Sequence, residues 1–325
     1  MIGLPDSPNP FRSCKLVGAD IDPEAYHTQE NGIERGDPGY VMTRSSLMAF
    51  RSCPAKWRAG WVPKETDATE YGSLQDCRVL TPERFASCYV VQPKTCLATK
   101  GMSCVKDGEA EVGDEVPWSP LSKECKAWKR DQEKNGLIVL SAAEKGESDL
   151  ALGILFADRR IKTLINCSQK QVLVVGEYED KGTNLVIPVK CLIDLVPDKD
   201  SIHGKELADL KTCRSAHPRT WLKVIDELCY DAQASICLDL YCAATGEDRT
   251  NFVHAIQENV HPWQTARRML SVEFIQLGRM KVVEALKRYC KCLSEDRWPD
   301  FDEDSPFNGW TLCEPDQWHS VLKAA

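Results

Sequence analysis

Asp194, Asp209 and Lys211 are the residues of this chain whose types and spacing best fit a chemical task. They fall in the stretch VIPVKCLIDLVPDKDSIHGKELADLKT, residues 186–212, where two short apolar runs flank a turn-rich segment from Pro197 to Gly204. Two carboxylates that converge among apolar neighbours carry a desolvation cost, and a divalent cation is the usual compensation. Oxygen ligands suit magnesium or manganese, and an adjacent ammonium can hold or polarise an attacking water. Asp209 and Lys211 also fit an ordinary ion pair, because Asp-x-Lys is frequent by chance.

Positioning these groups requires a hairpin. The two runs predict adjacent strands, with Asp194 near the end of the first. Asp209 and Lys211 then share one face of the second, with Leu210 turned to the core. Residues 171–176 (QVLVVG) predict a strand leading to the hairpin, and 251–257 (NFVHAIQ) another. Helical spacing runs over 70–80, with Tyr71, Leu74 and Cys77 inward. Gly72 there implies close approach of a neighbouring backbone, and Asp76 follows one turn later. A helix from Pro218 carries Trp221, Ile225, Leu228, Ala232 and Leu240 towards the sheet. Asp226, Tyr230, Gln233, Cys237 and Tyr241 form a second stripe on it. Thr43 or Ser45 caps a helix that includes Leu47 and Phe50, and Pro54 opens the next. Further helix is expected at 125–135, 141–165 and 272–292. The last bears Arg279, Lys281, Lys287, Arg288 and Lys291, a basic row suited to phosphate or, more commonly, to solvent.

The 325 residues suffice for one large domain or two small ones. A formal charge of −8 excludes a generally basic nucleic-acid binder, so contact with DNA has to come from a local patch. No apolar run approaches the ~20 residues that span a bilayer. The opening MIGLPDSPNPFRSC lacks the apolar core of a signal peptide, so a cytoplasmic protein without membrane contact is expected. Sixteen cysteines then fit free thiols in a reducing compartment. Residues 1–42, rich in Pro, Gly and Asp, predict a loosely structured arm, 95–120 a polar exposed insertion, and 302–325 a tail.

Several segments together resemble a known family. They are Thr43-Arg44-Ser45-Ser46-Leu47 with 50–57 (FRSCPAKW), 71–76 (YGSLQD) with 81–85 (TPERF), and 190–194 (KCLID). Asp209-Leu210-Lys211-Thr212, 230–234 (YDAQA) and 298–301 (WPDF) complete the set. In order and spacing they resemble the RecE-type (exonuclease VIII-like) enzymes of the PD-(D/E)XK superfamily, related to lambda exonuclease and RecB-type nuclease domains. The resemblance implies an α/β fold with a restriction-endonuclease-like core, a central mixed sheet flanked by helices, and a nuclease domain over 43–301. It implies an exodeoxyribonuclease of phage or prophage recombination type, using one or two magnesium or manganese ions. Such enzymes digest linear double-stranded DNA from the 5′ end, leave a 3′ single strand for an annealing protein, and work as homo-oligomeric rings.

In that pattern Asp76, Asp194, Asp209 and the Leu210 backbone carbonyl ligate metal. Lys211 positions or activates water, and Gln233 helps fix the site or the DNA end. Glu177 and Tyr230 are further candidates, and Arg214, Arg219 and Lys223 are the nearby cations for DNA. Two positions depart from the family, which usually has histidine at Asp76 and tyrosine at Cys237. Aspartate also ligates magnesium, so Asp76 can replace the imidazole while adding negative charge.

The same residues are compatible with a non-catalytic DNA-end-binding or assembly protein, and with a structure-specific endonuclease. Some related nucleases hold an iron–sulfur cluster with one early and three late cysteines. Cys53 with Cys290, Cys292 and Cys313 has a poor Cys-x-Cys spacing for that role, and buried thiols account better for the cysteines. His254 and His261 lack a partner at zinc-ligand spacing and fit packing positions.

Overall fold

Valine, isoleucine and leucine concentrate in 172–175 and 185–196, and these residues build the two longest strands, β6 (Ser168–Glu179) and β7 (Val186–Pro197). The structure is a computed structural model and describes residues 8–27, 33–62, 64 and 66–303. β8 (Glu206–Cys213) runs antiparallel to β7, and β9 (Asn251–Glu258) runs parallel to β8. β1 (Phe11–Gly18) and β10 (Thr265–Met269) form the edges, giving a six-stranded sheet in the order β1-β6-β7-β8-β9-β10. Two short pairs stand apart: β2 (Tyr89–Val91) with β5 (Ile138–Leu140), and β3 (Thr95–Leu97) with β4 (Glu115–Pro117).

Both faces of the sheet are covered. One core joins α2 (Arg44–Ser52), α3 (Pro54–Arg58), α11 (Tyr230–Thr245) and α12 (Val272–Glu295) to the strands, through Phe50, Trp57, Leu240, Tyr289, Val174 and Phe252. A second core joins α4 (Asp67–Leu80), α8 (Ala142–Ala157) and α9 (Arg159–Asn166) to Leu195, Ala208, Leu210 and Val253. α10 (Pro218–Glu227) sets Trp221 and Ile225 against Ile256 and Ala266. The minor helices are α1 (Pro23–His27), α5 (Phe85–Cys88), α6 (Ser103–Lys106) and α7 (Lys123–Lys134). Burying each large apolar side chain contributes about 1.5–3 kcal/mol. Packing on both faces therefore fixes the middle strands, and any polar group they carry, in one place.

The expected hairpin is present, and Leu210 packs in the core as anticipated. Asp209 is buried too, because α11 covers the opposite face. Gly72 is confirmed as a close approach, although its neighbour is a side chain: a Cβ there would stand 3.1 Å from Thr212 Oγ1. A tighter contact occurs at Gly278 on α12, where a Cβ would fall 2.0 Å from the Asp231 carbonyl oxygen of α11.

Other expectations are corrected. The described part of the N-terminal arm is built into the sheet, with β1 on β6 and Met42 N–H donating to the Pro188 carbonyl at 2.8 Å. The insertion at 95–120 is mostly exposed, and within it lie the β3–β4 pair and α6. The helix from Pro218 breaks at Cys229, whose φ of 51° is left-handed; Leu228 is thereby exposed and Asp226 leaves the stripe. Asp158 breaks the 141–165 helix and caps α9, its carboxylate accepting from the Arg160 and Ile161 N–H groups. No helix among the described residues is long and apolar enough to cross a membrane. Almost all of the expected tail, with Cys313, lies outside the described residues.

Candidate active site

β7 and β8 are in register at Leu195 and Ala208, which sets Asp194 opposite Asp209 in the next antiparallel position. There a side chain replaces the backbone ladder: the Leu210 N–H donates to Asp194 Oδ2 at 3.0 Å. Asp209 Oδ1 accepts from Gln233 Nε2 at 2.7 Å, and Oδ2 is ion-paired with Lys211. Gln233, near the start of α11, in turn accepts from Arg44 Nη2 at 2.8 Å. The Tyr230 ring lies by both cations, 5.1 Å from Lys211 Nζ and 5.5 Å from Arg44 Cζ. Asp76 enters from α4, which Gly72 seats against β8.

The charges act on one another. Burial raises the Asp194 carboxyl well above the usual carboxylate range, and the neighbouring Asp209 adds to the rise. Burial also lifts Asp76 to about 7; Lys211 opposes that and Asp209 reinforces it. Burial works against ionised Asp209 as well, but Lys211 and then His254 outweigh it and hold its carboxyl below the ordinary value. Lys211 keeps its proton: burial disfavours the ammonium, yet Asp209, Tyr230 and Asp194 raise its pKa.

Three interacting carboxylates set against one ammonium leave negative charge for a hard cation to neutralise, and oxygen donors suit magnesium or manganese. The donor chemistry fits: Asp76, Asp194 and Asp209 would hold the ion, with the Leu210 carbonyl between two of the site residues in sequence. A closed cage is not preformed. Among the described residues no three His, Cys, Asp or Glu side chains stand together at ligand spacing, and Asp209 is engaged by Lys211 and Gln233.

Other candidates lie elsewhere. Glu177 is in register with Pro188, far up the strand from Asp194, and pairs with Arg12 at 3.6 Å; it is not at the site. Arg219 and Lys223 are exposed on or at α10. Arg214 borders a cavity of about 890 Å³ that is also lined by Asp67, Glu70, Glu144 and Glu147, so its setting is acidic. The basic row of α12 serves partly as cross-links: Arg279 binds Asp239, and Lys281 binds Asp226 and Asp231.

Three residues near the site were not anticipated. Arg44 looked like the first residue of a capped helix. His254 is fully buried on β9 in register with Asp209, between Trp221, Tyr230 and Phe252. Burial pushes its imidazole down to about 4, so it is neutral at pH 7. Tyr26 of α1 donates to the Lys190 carbonyl at 3.3 Å, with Lys190 Nζ 5.2 Å from its ring centre. Arg44 lies in the first segment of the family resemblance without a role there, and nothing in the sequence links His254 or Tyr26 to the strands; parallel register and a returning N-terminal segment bring them in.

An aspartate at the end of one strand and Asp-x-Lys on the next, in this sheet with helices on both faces, define the PD-(D/E)XK nuclease fold. The chain belongs to the family described as PDDEXK-like domain of unknown function (DUF3799), whose model matches residues 43–305. Members of this superfamily generally use divalent metal ions. Among solved structures the chain is similar to a candidate exonuclease from Eubacterium rectale, at 16% identity over 94% of this chain and 98% of that one, with a TM-score of 0.54. That likeness supports the fold. Weaker likenesses are to SSO0001 (13% identity, 81% and 95% coverage, TM-score 0.26) and to Rai1 of Scheffersomyces stipitis (13%, 83% and 70%, 0.25), and no conclusion rests on them. No curated protein matches the chain.

Proposed function

We propose that the chain is a metal-dependent deoxyribonuclease that hydrolyses phosphodiester bonds of linear double-stranded DNA, from the 5′ end, leaving 3′ single strands for recombination. The observation that carries this is the meeting of Asp194, Asp209 and Lys211 at one point of the sheet, with Gln233 on Asp209. Magnesium or manganese bound there supplies charge neutralisation at the phosphate and acidifies a bound water. Lys211, held as an ammonium, orients that water or a phosphate oxygen. Gln233 keeps Asp209 from turning away. Asp194 and Asp76, protonated readily without a cation, release their protons as they become ligands. The preference for ends, the 5′ polarity, a homo-oligomeric ring and an annealing partner rest on the resemblance to RecE-type exonucleases. Arg219, Lys223 and Arg214 are the proposed DNA contacts.

End-labelled linear duplex and closed circular DNA, each with magnesium or with chelator, test this. Mononucleotide release from the linear substrate alone, abolished by chelator, is expected. Asp209→Ala and Lys211→Ala should each remove it while leaving the circular-dichroism spectrum unchanged. Cutting of the circle would indicate an endonuclease, and end binding without release a non-catalytic role. Full activity in either variant would refute the assigned roles.

A further inference from the structure

A glutamine amide has an oxygen that only accepts and an NH2 group that only donates. At Gln233 the oxygen faces a guanidinium, Arg44 Nη2 at 2.8 Å, and the NH2 faces a carboxylate, Asp209 Oδ1 at 2.7 Å. Turned over, the same amide would set NH2 against the Arg44 donors and oxygen against the Asp209 carboxylate. Two charge-assisted bonds would become two repulsive contacts. Arg44 is itself held. It opens α2 behind the Thr43 cap, donates to the Leu228 carbonyl at 3.4 Å, and lies 5.5 Å from the Tyr230 ring centre.

We infer that Arg44 is a positioning residue of the active site, fixing the Gln233 amide so that it donates to Asp209 and leaves the other Asp209 oxygen to Lys211 and a cation. This makes α2, far away in sequence, part of the apparatus that aims Asp209. The functional consequence rests on the nuclease activity proposed above. An arginine suits the task because its charge is permanent and its flat group can bond the amide while lying over a ring.

A double-mutant cycle tests the role. Arg44→Met and Gln233→Met should each lower kcat about 10- to 100-fold, the loss of one hydrogen bond to a charged group, with little change in KM for DNA. The double variant should be no slower than Gln233→Met alone, because Arg44 acts through Gln233. Millimolar guanidinium should restore part of the activity of Arg44→Met and none to the double variant. Additive losses, or losses confined to KM, would overturn the role and indicate direct contact with DNA.

A second measurement does not depend on turnover. The Gln233 side-chain NH2 protons, assigned by their absence in Gln233→Met, should exchange slowly with solvent in the wild type and at least tenfold faster in Arg44→Met. Urea midpoints of the two proteins should agree. Equal exchange would overturn the role. A wild type that releases no nucleotides with any divalent ion would defeat the nuclease proposal alone, and the exchange comparison would still decide on Arg44.

Discussion

Replacing Asp76 with asparagine should make the metal-free protein more stable, increasingly so as pH rises. In the folded protein the Asp76 carboxyl titrates near 7, against 3.8 for the unperturbed group. Between those values the folded chain keeps a proton that the unfolded chain has lost, so stability falls with rising pH until the folded group also ionises. The full elevation corresponds to about 4 kcal/mol. Burial is the main cause of that elevation, with Lys211 opposing it and Asp209 adding to it, so a gain on the order of 2–4 kcal/mol is expected for Asp76→Asn at pH 8, shrinking towards zero near pH 4. The difference should narrow with a divalent cation. The wild type should gain about 2.7 kcal/mol at a hundred times the dissociation constant, and the variant, lacking one ligand, less. Urea unfolding followed by tryptophan fluorescence, from pH 5 to 8 with chelator or magnesium, reads both effects. An advantage that is absent in chelator, or does not change with pH, would refute the placement of Asp76 among the other two carboxylates.

Four further outcomes follow, three of them from single contacts. Lys281→Met strands the fully buried Asp231, now 2.8 Å from the ammonium, and should cost about 3–5 kcal/mol in urea unfolding. Gly278→Ala forces the α11–α12 crossing apart, since its Cβ would meet a backbone oxygen at 2.0 Å; a loss of about 1–3 kcal/mol or more in the same assay is expected. Gly72→Val should push α4 off Thr212, lower stability by about 1–3 kcal/mol and weaken manganese binding seen by electron paramagnetic resonance; a variant that binds manganese like the wild type would show that Asp76 does not depend on that seat. Calorimetry in buffers of different ionisation enthalpy should detect protons released on magnesium binding at pH 6, with affinity rising towards pH 8, because Asp194 and Asp76 have raised pKa values.

The strands and helices that bury apolar stripes were legible in the sequence. β6, the β7–β8 hairpin, β9, α4 and α12 all follow from hydrophobic period and from Gly, Pro and capping residues. The edges were not. β1 buries only Phe11 among its fully covered positions, so its alternation is drowned by exposed charge. The break at Cys229 depends on a left-handed non-glycine residue, which no composition signal announces. That break decides the site: α11 starts afresh at Tyr230, bringing Tyr230 and Gln233 to Lys211 and Asp209, while Asp226 is left to Lys281.

Within the site, legibility divides along the same line. Asp194, Asp209 and Lys211 could be read because they sit close together on one hairpin, where strand alternation alone brings them into proximity. Asp76 and Gln233 needed the family pattern, because two separate helices must be docked before either reaches β8. Arg44 sits inside the family pattern without a role in it, and His254 escaped both routes. Their closeness to Gln233 and Asp209 exists only after α2 has packed beside α11 and β9 has entered parallel to β8, contacts between segments far apart in sequence. A buried carboxylate draws partners from any element that reaches it, since each leaves fewer of its lone pairs unsatisfied. The Asp209–Lys211 pair is therefore local in sequence while the groups that contact it are scattered, and Arg44, at the far end of that chain of contacts, is the residue whose place at the site the sequence alone does not show.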